Sequence, residues 1–174
     1  MWKITDVSPL VYMKKIPKSV KAYISNARYY LESANQFPPL IRDGVRILLL
    51  LTARENIKIA EEELHAWVQG LEPSKNLYRS HAYKLRDVRD SYSIKRIILG
   101  KRGTPPKTVS YRSGSDFEKL HQICRYGLNG DSKDLSSFFA RGWHTNAFER
   151  ALISKIEWEE IMVKTYEELP DYGK

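Results

Sequence analysis

A single acidic residue, Glu55, stands in the middle of the most hydrophobic stretch of this chain, and that placement constrains the fold more than any other feature. The run Leu40 to Gln69 reads as one long helix with Ile47-Leu48-Leu49-Leu50-Leu51 at its heart. At about 100° per residue, Ile41, Val45, Leu48, Thr52, Glu55, Ile59 and Ala66 share one stripe. A carboxylate inside an apolar stripe is costly unless it is neutral, hydrogen-bonded or paired. A polar group from another element is therefore expected to reach Glu55.

The next segment carries the second anomaly. Leu77, His81, Leu85, Val88, Tyr92 and Leu99 fall at helical spacing and predict a third helix over Lys75 to Leu99. His81 is the ionisable interruption of that face, and Lys84 lies at its edge. Two such helices side by side would gather Glu55, Lys58, His81 and Lys84 into one cluster. Two readings of it stay open: a catalytic centre, or a buried ion pair that orders helix packing and does no chemistry.

The remaining chain also reads as helical. Helix one spans Lys18 to Asn35 with Val20, Ile24, Ala27, Leu31 and Ala34 inward, and Phe37-Pro38-Pro39 breaks it. Helix two ends at Gly70, a suitable terminating residue. Helix four spans Asp116 to Tyr126 with Phe117, Leu120, Ile123 and Cys124 inward, and helix five runs from Asn146 to Leu169. Asn146 with Glu149 makes a capping-box arrangement at its start. Residues 1–17 read as irregular, 18–170 as one domain, and 100–115 as a basic surface loop without strand-like alternation. The expected fold class is all-α, an up-and-down bundle of about five helices.

Composition enters where partners are concerned. With 29 basic against 21 acidic residues, the 174-residue chain has a formal net charge of +8, which favours polyanions. The candidate RNA-contacting residues are Lys58, Arg79, Arg86, Arg89, Lys101, Arg102 and Arg112. The lone Cys124 excludes an internal disulfide, and the four histidines show no zinc-ligand spacing, so no metal and no cofactor are expected. The apolar run of helix two falls short of the roughly 20 residues that cross a bilayer, and no secretory leader is visible. A cytoplasmic protein without membrane contact is the expectation. Arg141, Trp143 and His144 either stack on a base or anchor a loop to the core, Glu159 joins a cation elsewhere, and the Glu61-Glu62-Glu63 run is expected to be solvated.

Several short stretches resemble a known group. Ser25-Asn26-Ala27-Arg28-Tyr29-Tyr30-Leu31-Glu32-Ser33-Ala34, Ala53-Arg54-Glu55-Asn56-Ile57-Lys58, His81-Ala82-Tyr83-Lys84 and Arg125-Tyr126-Gly127-Leu128 occur in an order similar to patterns of the abortive-infection V (AbiV) group of the HEPN superfamily. The resemblance covers residues 18 to about 130. It implies a HEPN-like bundle that dimerises around a polar cluster, and a role in defence against phage with RNA and a phage-encoded activating protein as partners. Two points depart from that group. Asn56 replaces a second acid, and no arginine precedes a histidine by the four to six residues that many HEPN nucleases use. A toxin-like, metal-independent ribonuclease would then rest on His81 as acid/base, Glu55 as orienting carboxylate and Lys84 as charge stabiliser. The alternative is a non-catalytic HEPN-like module that binds a phage protein, a nucleotide or nucleic acid.

Overall fold

The computed structural model describes residues 15–36, 43–86, 92–126, 139 and 142–169. The chain is mostly helical and carries one small sheet. In order, the elements are α1 (Lys18–Asn35), α2 (Asp43–Gln69), α3 (Asn76–Arg79), α4 (His81–Leu85), β1 (Ile94–Ile98), β2 (Lys107–Tyr111), α5 (Gly114–Tyr126), β3 (Trp143–His144) and α6 (Asn146–Glu167). Arg89, Arg141, the Phe37-Pro38-Pro39 break and the N-terminal fourteen residues lie outside the described residues.

The 27-residue α2 is the axis of the molecule. It packs against α1 along one side and against α4, α5 and α6 around the rest. This explains why its apolar residues do not keep to one narrow stripe. Ile47, Leu50, Leu51, Ala53, Ile57 and Ala60 are fully buried, whereas Val45, assigned to the core face by periodicity, is exposed. In contrast α1 touches the core with one face only, formed by Val20, Ile24, Ala27, Leu31 and Ala34. Phe117 of α5 and Phe148 of α6 meet edge-to-face at 5.4 Å across the centre of the core.

The single long third helix is not formed. Ser80 is extended (φ −114°, ψ 117°) and its hydroxyl accepts from the Tyr83 backbone N–H, so it closes α3 and caps α4 at once. Arg86, also extended, ends α4. Leu77, Lys84 and Leu85 stay buried across the break, which is how two short helices imitate one periodic face.

Beyond it, β1 pairs antiparallel with β2 (Ile94 opposite Tyr111, Ile98 opposite Lys107) and with β3 (Lys95 opposite His144, Arg96 opposite Trp143). The basic loop of residues 100–115 is thus largely a hairpin, and the fold is not purely α. Gly142 lies in the left-handed region (φ 82°), and an added Cβ would come within 2.1 Å of the Ile97 carbonyl oxygen. Its own carbonyl accepts from the Ile97 N–H at 2.7 Å. Only glycine allows so close an approach.

At the start of α6 the N-cap is Thr145 rather than Asn146, and it makes no side-chain cap bond. Its hydroxyl instead donates to the Glu149 carboxylate, which also pairs with Arg46 of α2. Among the described residues no helix is long and apolar enough to cross a membrane.

Candidate functional site

Three helices bring four ionisable side chains to one point. Glu55 sits at mid-length in α2, His81 and Lys84 come from α4, and His121 comes from α5. The Glu55 carboxylate is the hub. Its Oε1 lies 2.6 Å from His81 Nδ1, and its Oε2 lies 2.9 Å from Lys84 Nζ. His121 Nε2 approaches Oε1 to 3.8 Å, beyond hydrogen-bond reach. The two imidazole rings pack with centroids 4.6 Å apart at 33°.

The exposures separate the roles. Side chains of Glu55 and His121 are 8% and 6% exposed, Lys84 is 11% exposed, and His81 is 41% exposed. His81 therefore forms the open wall of an otherwise buried cluster. With Nδ1 engaged by Glu55, its Nε2 is the nitrogen left for a substrate or solvent proton. Burial holds the His121 imidazole below its ordinary protonation range, and the charges of His81, Arg125 and Lys84 add to this while Glu55 opposes it. His121 is thus a neutral partner beside the dyad. It went unread in the sequence, although Phe117, Leu120, His121 and Cys124 share the inward face of α5 at helical spacing. Cys124 itself is half-buried, and burial pushes its thiol up to about 12, so it is an inert packing group.

Lys58 does not join this cluster. Its ammonium pairs with Glu62 at 2.7 Å and faces Glu61 at 3.6 Å, the one-turn partners that helix geometry supplies. The Glu61-Glu62-Glu63 run is solvated only in part, with Glu61 and Glu62 half-buried. Glu61 accepts from Lys155 at 2.7 Å, and Glu63 is buried, accepting from Ser19 and Tyr78. Lys155 also reaches Glu159 at 3.0 Å, so the cation that holds this buried acid lies one turn back on the same helix rather than elsewhere in the bundle.

The remaining basic residues lie outside this cluster. Arg79 and Arg86 are exposed at the ends of α3 and α4, Lys101 and Arg102 are exposed in the β1–β2 turn, and Arg112 is exposed after β2. Arg86 also lines a groove of about 610 Å³ with Ser80, Tyr83, Ser113 and Ser115. Trp143 anchors the sheet, stacking on Tyr111 at 5.5 Å beneath Arg96.

Arg54, next to the hub, is a further buried charge that sequence reasoning passed over. It is 3% exposed and sits over the Tyr92 ring at 4.6 Å. Among the described residues its Nε and one terminal nitrogen have no hydrogen-bond partner. No family model, curated protein or solved structure matches this chain.

Proposed function

We propose that the chain is an RNA-directed effector of phage defence, of HEPN and AbiV type, in which the Glu55–His81 dyad cleaves RNA by acid–base chemistry without a metal. One observation carries the reading: a half-exposed imidazole held at 2.6 Å by a buried carboxylate whose other oxygen is occupied by a lysine. A carboxylate on Nδ1 fixes the ring orientation and stabilises the imidazolium that forms during proton transfer. His81 Nε2 takes the proton of an RNA 2′-hydroxyl, the 2′-oxygen attacks the adjacent phosphorus, and the 5′-oxygen departs with a proton from solvent. The products are a 2′,3′-cyclic phosphate and a free 5′-hydroxyl.

Lys84 takes a different part from direct charge stabilisation at phosphorus. It is nearly buried and bonded to Glu55, so it balances the carboxylate and fixes its position. Arg79 and Arg86, exposed on either side of His81 in the sequence, supply cations for the RNA backbone, and the net charge of +8 steers the polyanion toward the protein. A homodimer and a phage-encoded activator complete this reading.

A second reading is a non-catalytic binding module, favoured by the burial of three of the four cluster members. Incubating the purified chain with total RNA in EDTA, beside His81→Ala, separates the two. The effector reading predicts cleavage that falls by about 10²–10⁴-fold in the variant, the usual contribution of a positioned acid–base group. Equal RNA binding by both proteins with no cleavage by either assigns the chain to the module class.

A further inference from the structure

The Glu55 cluster has a chemistry that acid–base catalysis leaves unused. A carboxylate oxygen of Glu55, a ring nitrogen of His81 and a ring nitrogen of His121 all lie within 4.8 Å of one another. We propose that these three side chains bind one first-row transition-metal dication of the zinc class, with a solvent molecule as fourth ligand on the side of His81.

Four features argue for it. First, two imidazoles and one carboxylate suit Zn²⁺, Co²⁺ or Fe²⁺, whereas Mg²⁺ and Ca²⁺ demand oxygen shells. Second, ligands about 2.0–2.2 Å from a tetrahedral ion stand about 3.3 Å apart. The observed 2.6 Å from Glu55 to His81 and 3.8 Å from Glu55 to His121 bracket that spacing. The two imidazole nitrogens lie within 4.8 Å of each other, so gathering all three donors takes movements of up to about one ångström each. Third, each donor comes from a different helix, and each helix is fixed by fully buried neighbours: Leu51 in α2, Leu85 in α4, and Phe117 and Leu120 in α5. Fourth, Lys84 holds Oε2 and orients the carboxylate as an outer-shell group does, which leaves Oε1 to coordinate once its bond to His81 opens.

The exposure pattern fits an open rather than a sealed site. Glu55 and His121 form a buried floor, and the 41% exposure of His81 leaves an entry path. Binding displaces the proton shared by His81 Nδ1 and Glu55 Oε1, which leaves to solvent. The ion and the proposed dyad use the same two atoms, so occupancy and metal-free cleavage exclude one another. The inference does not rest on the cleavage reading, because binding is read with the metal alone.

The test uses the full chain, stripped with EDTA and dialysed. Zn²⁺ is titrated against a chromophoric chelator, and Co²⁺ binding is followed by visible absorption. The expected result is one ion per chain, tetrahedral Co²⁺ bands, and affinity lowered in His81→Gln by more than the roughly 10–100-fold that outer-shell changes cost. His81 is exposed enough that this variant keeps the wild-type circular dichroism spectrum. His121→Gln, where it folds, shows the same loss, and the exposed His144→Gln binds as wild type. Absence of saturable binding by the wild-type chain, or equal affinity in His81→Gln, overturns the proposal. Zinc binding without RNA cleavage in EDTA supports this inference and sinks the ribonuclease reading. Cleavage in EDTA without zinc binding does the reverse.

Discussion

Two polar clusters hang from the same helix, and they are built on opposite principles. Toward the C-terminal half of α2, Lys155 bridges Glu61 and Glu159 while Lys58 holds Glu62 and faces Glu61. Every carboxylate there meets an ammonium. At mid-length, Glu55 is a lone carboxylate shared by an ammonium and one imidazole, with a second imidazole at 3.8 Å. The first arrangement sets three carboxylates on two ammoniums, and its groups are each committed to a partner. The second contains groups that exchange protons or coordinate metal near neutral pH, and one of them is open to solvent. Carboxylates committed to ammoniums mark a cluster that fixes helix packing. A carboxylate with two imidazoles marks one that can also do chemistry.

The largest effect that sharpens this contrast is expected from Glu55→Gln. It removes the partner of the nearly buried Lys84, and it should cost about 3 kcal/mol, in the range for breaking a buried pair. It should also abolish RNA cleavage and zinc binding, so urea denaturation and both functional assays respond together. Next is Lys155→Met, which leaves Glu61 and Glu159 facing each other. Lys155 keeps 24% side-chain exposure, so the cost should be about 2 kcal/mol, below that of a fully buried pair. RNA cleavage should be unchanged, and a loss of cleavage in the still-folded variant would erase the distinction between the two clusters.

Smaller in stability is His81→Ala, which forfeits one partly exposed bond and should lower stability by about 1 kcal/mol or less. Its functional loss should nevertheless match that of Glu55→Gln. The most gradual effect is on pH dependence in EDTA. His121, facing Glu55, His81, Arg125 and Lys84, titrates below its ordinary value near 6.5 when folded. The unfolded chain therefore takes up that proton first as pH falls. The stability contribution is full above about pH 6.5 and declines as pH drops from there toward the folded value. His121→Asn should flatten that decline in a series of urea midpoints. In the other cluster the contributions oppose one another: burial pushes Glu61 up but Lys155 and Lys58 outweigh it and shift it down, whereas burial shifts Glu159 up.

How far such contrasts can be read from a sequence depends on which physical signal each residue carries. The core face of α1 was legible residue by residue, because that helix buries one stripe and exposes the rest. The demand that something polar reach Glu55 was legible too, since an apolar run cannot leave a carboxylate alone. Its partners on α4 were found through a false premise. Leu77, His81 and Leu85 keep helical spacing across the Ser80 break, so the spacing named the right residues for a helix that does not exist.

β1 was lost for a related reason. Ile94, Ile97 and Ile98 satisfy a helical repeat as well as a strand, and a five-residue strand is too short for periodicity to decide. β3, two residues long, leaves no pattern at all. Lys58 was drawn to Glu55 by its place one turn away, but Glu61 and Glu62 stand one turn further on and hold it. His121 carried a usable signal, an imidazole on an otherwise apolar helix face. Its meaning depended on α5 lying against α2 and α4, which no local pattern encodes.

The proposed chemistry depends on Glu55 holding His81 by Nδ1, and histidine nitrogen NMR of the metal-free chain reads this directly. Long-range proton–nitrogen correlation should show His81 protonated at Nδ1, with a strongly downfield proton that vanishes in Glu55→Gln. An Nε2-protonated His81 whose resonances are indifferent to that substitution would contradict it.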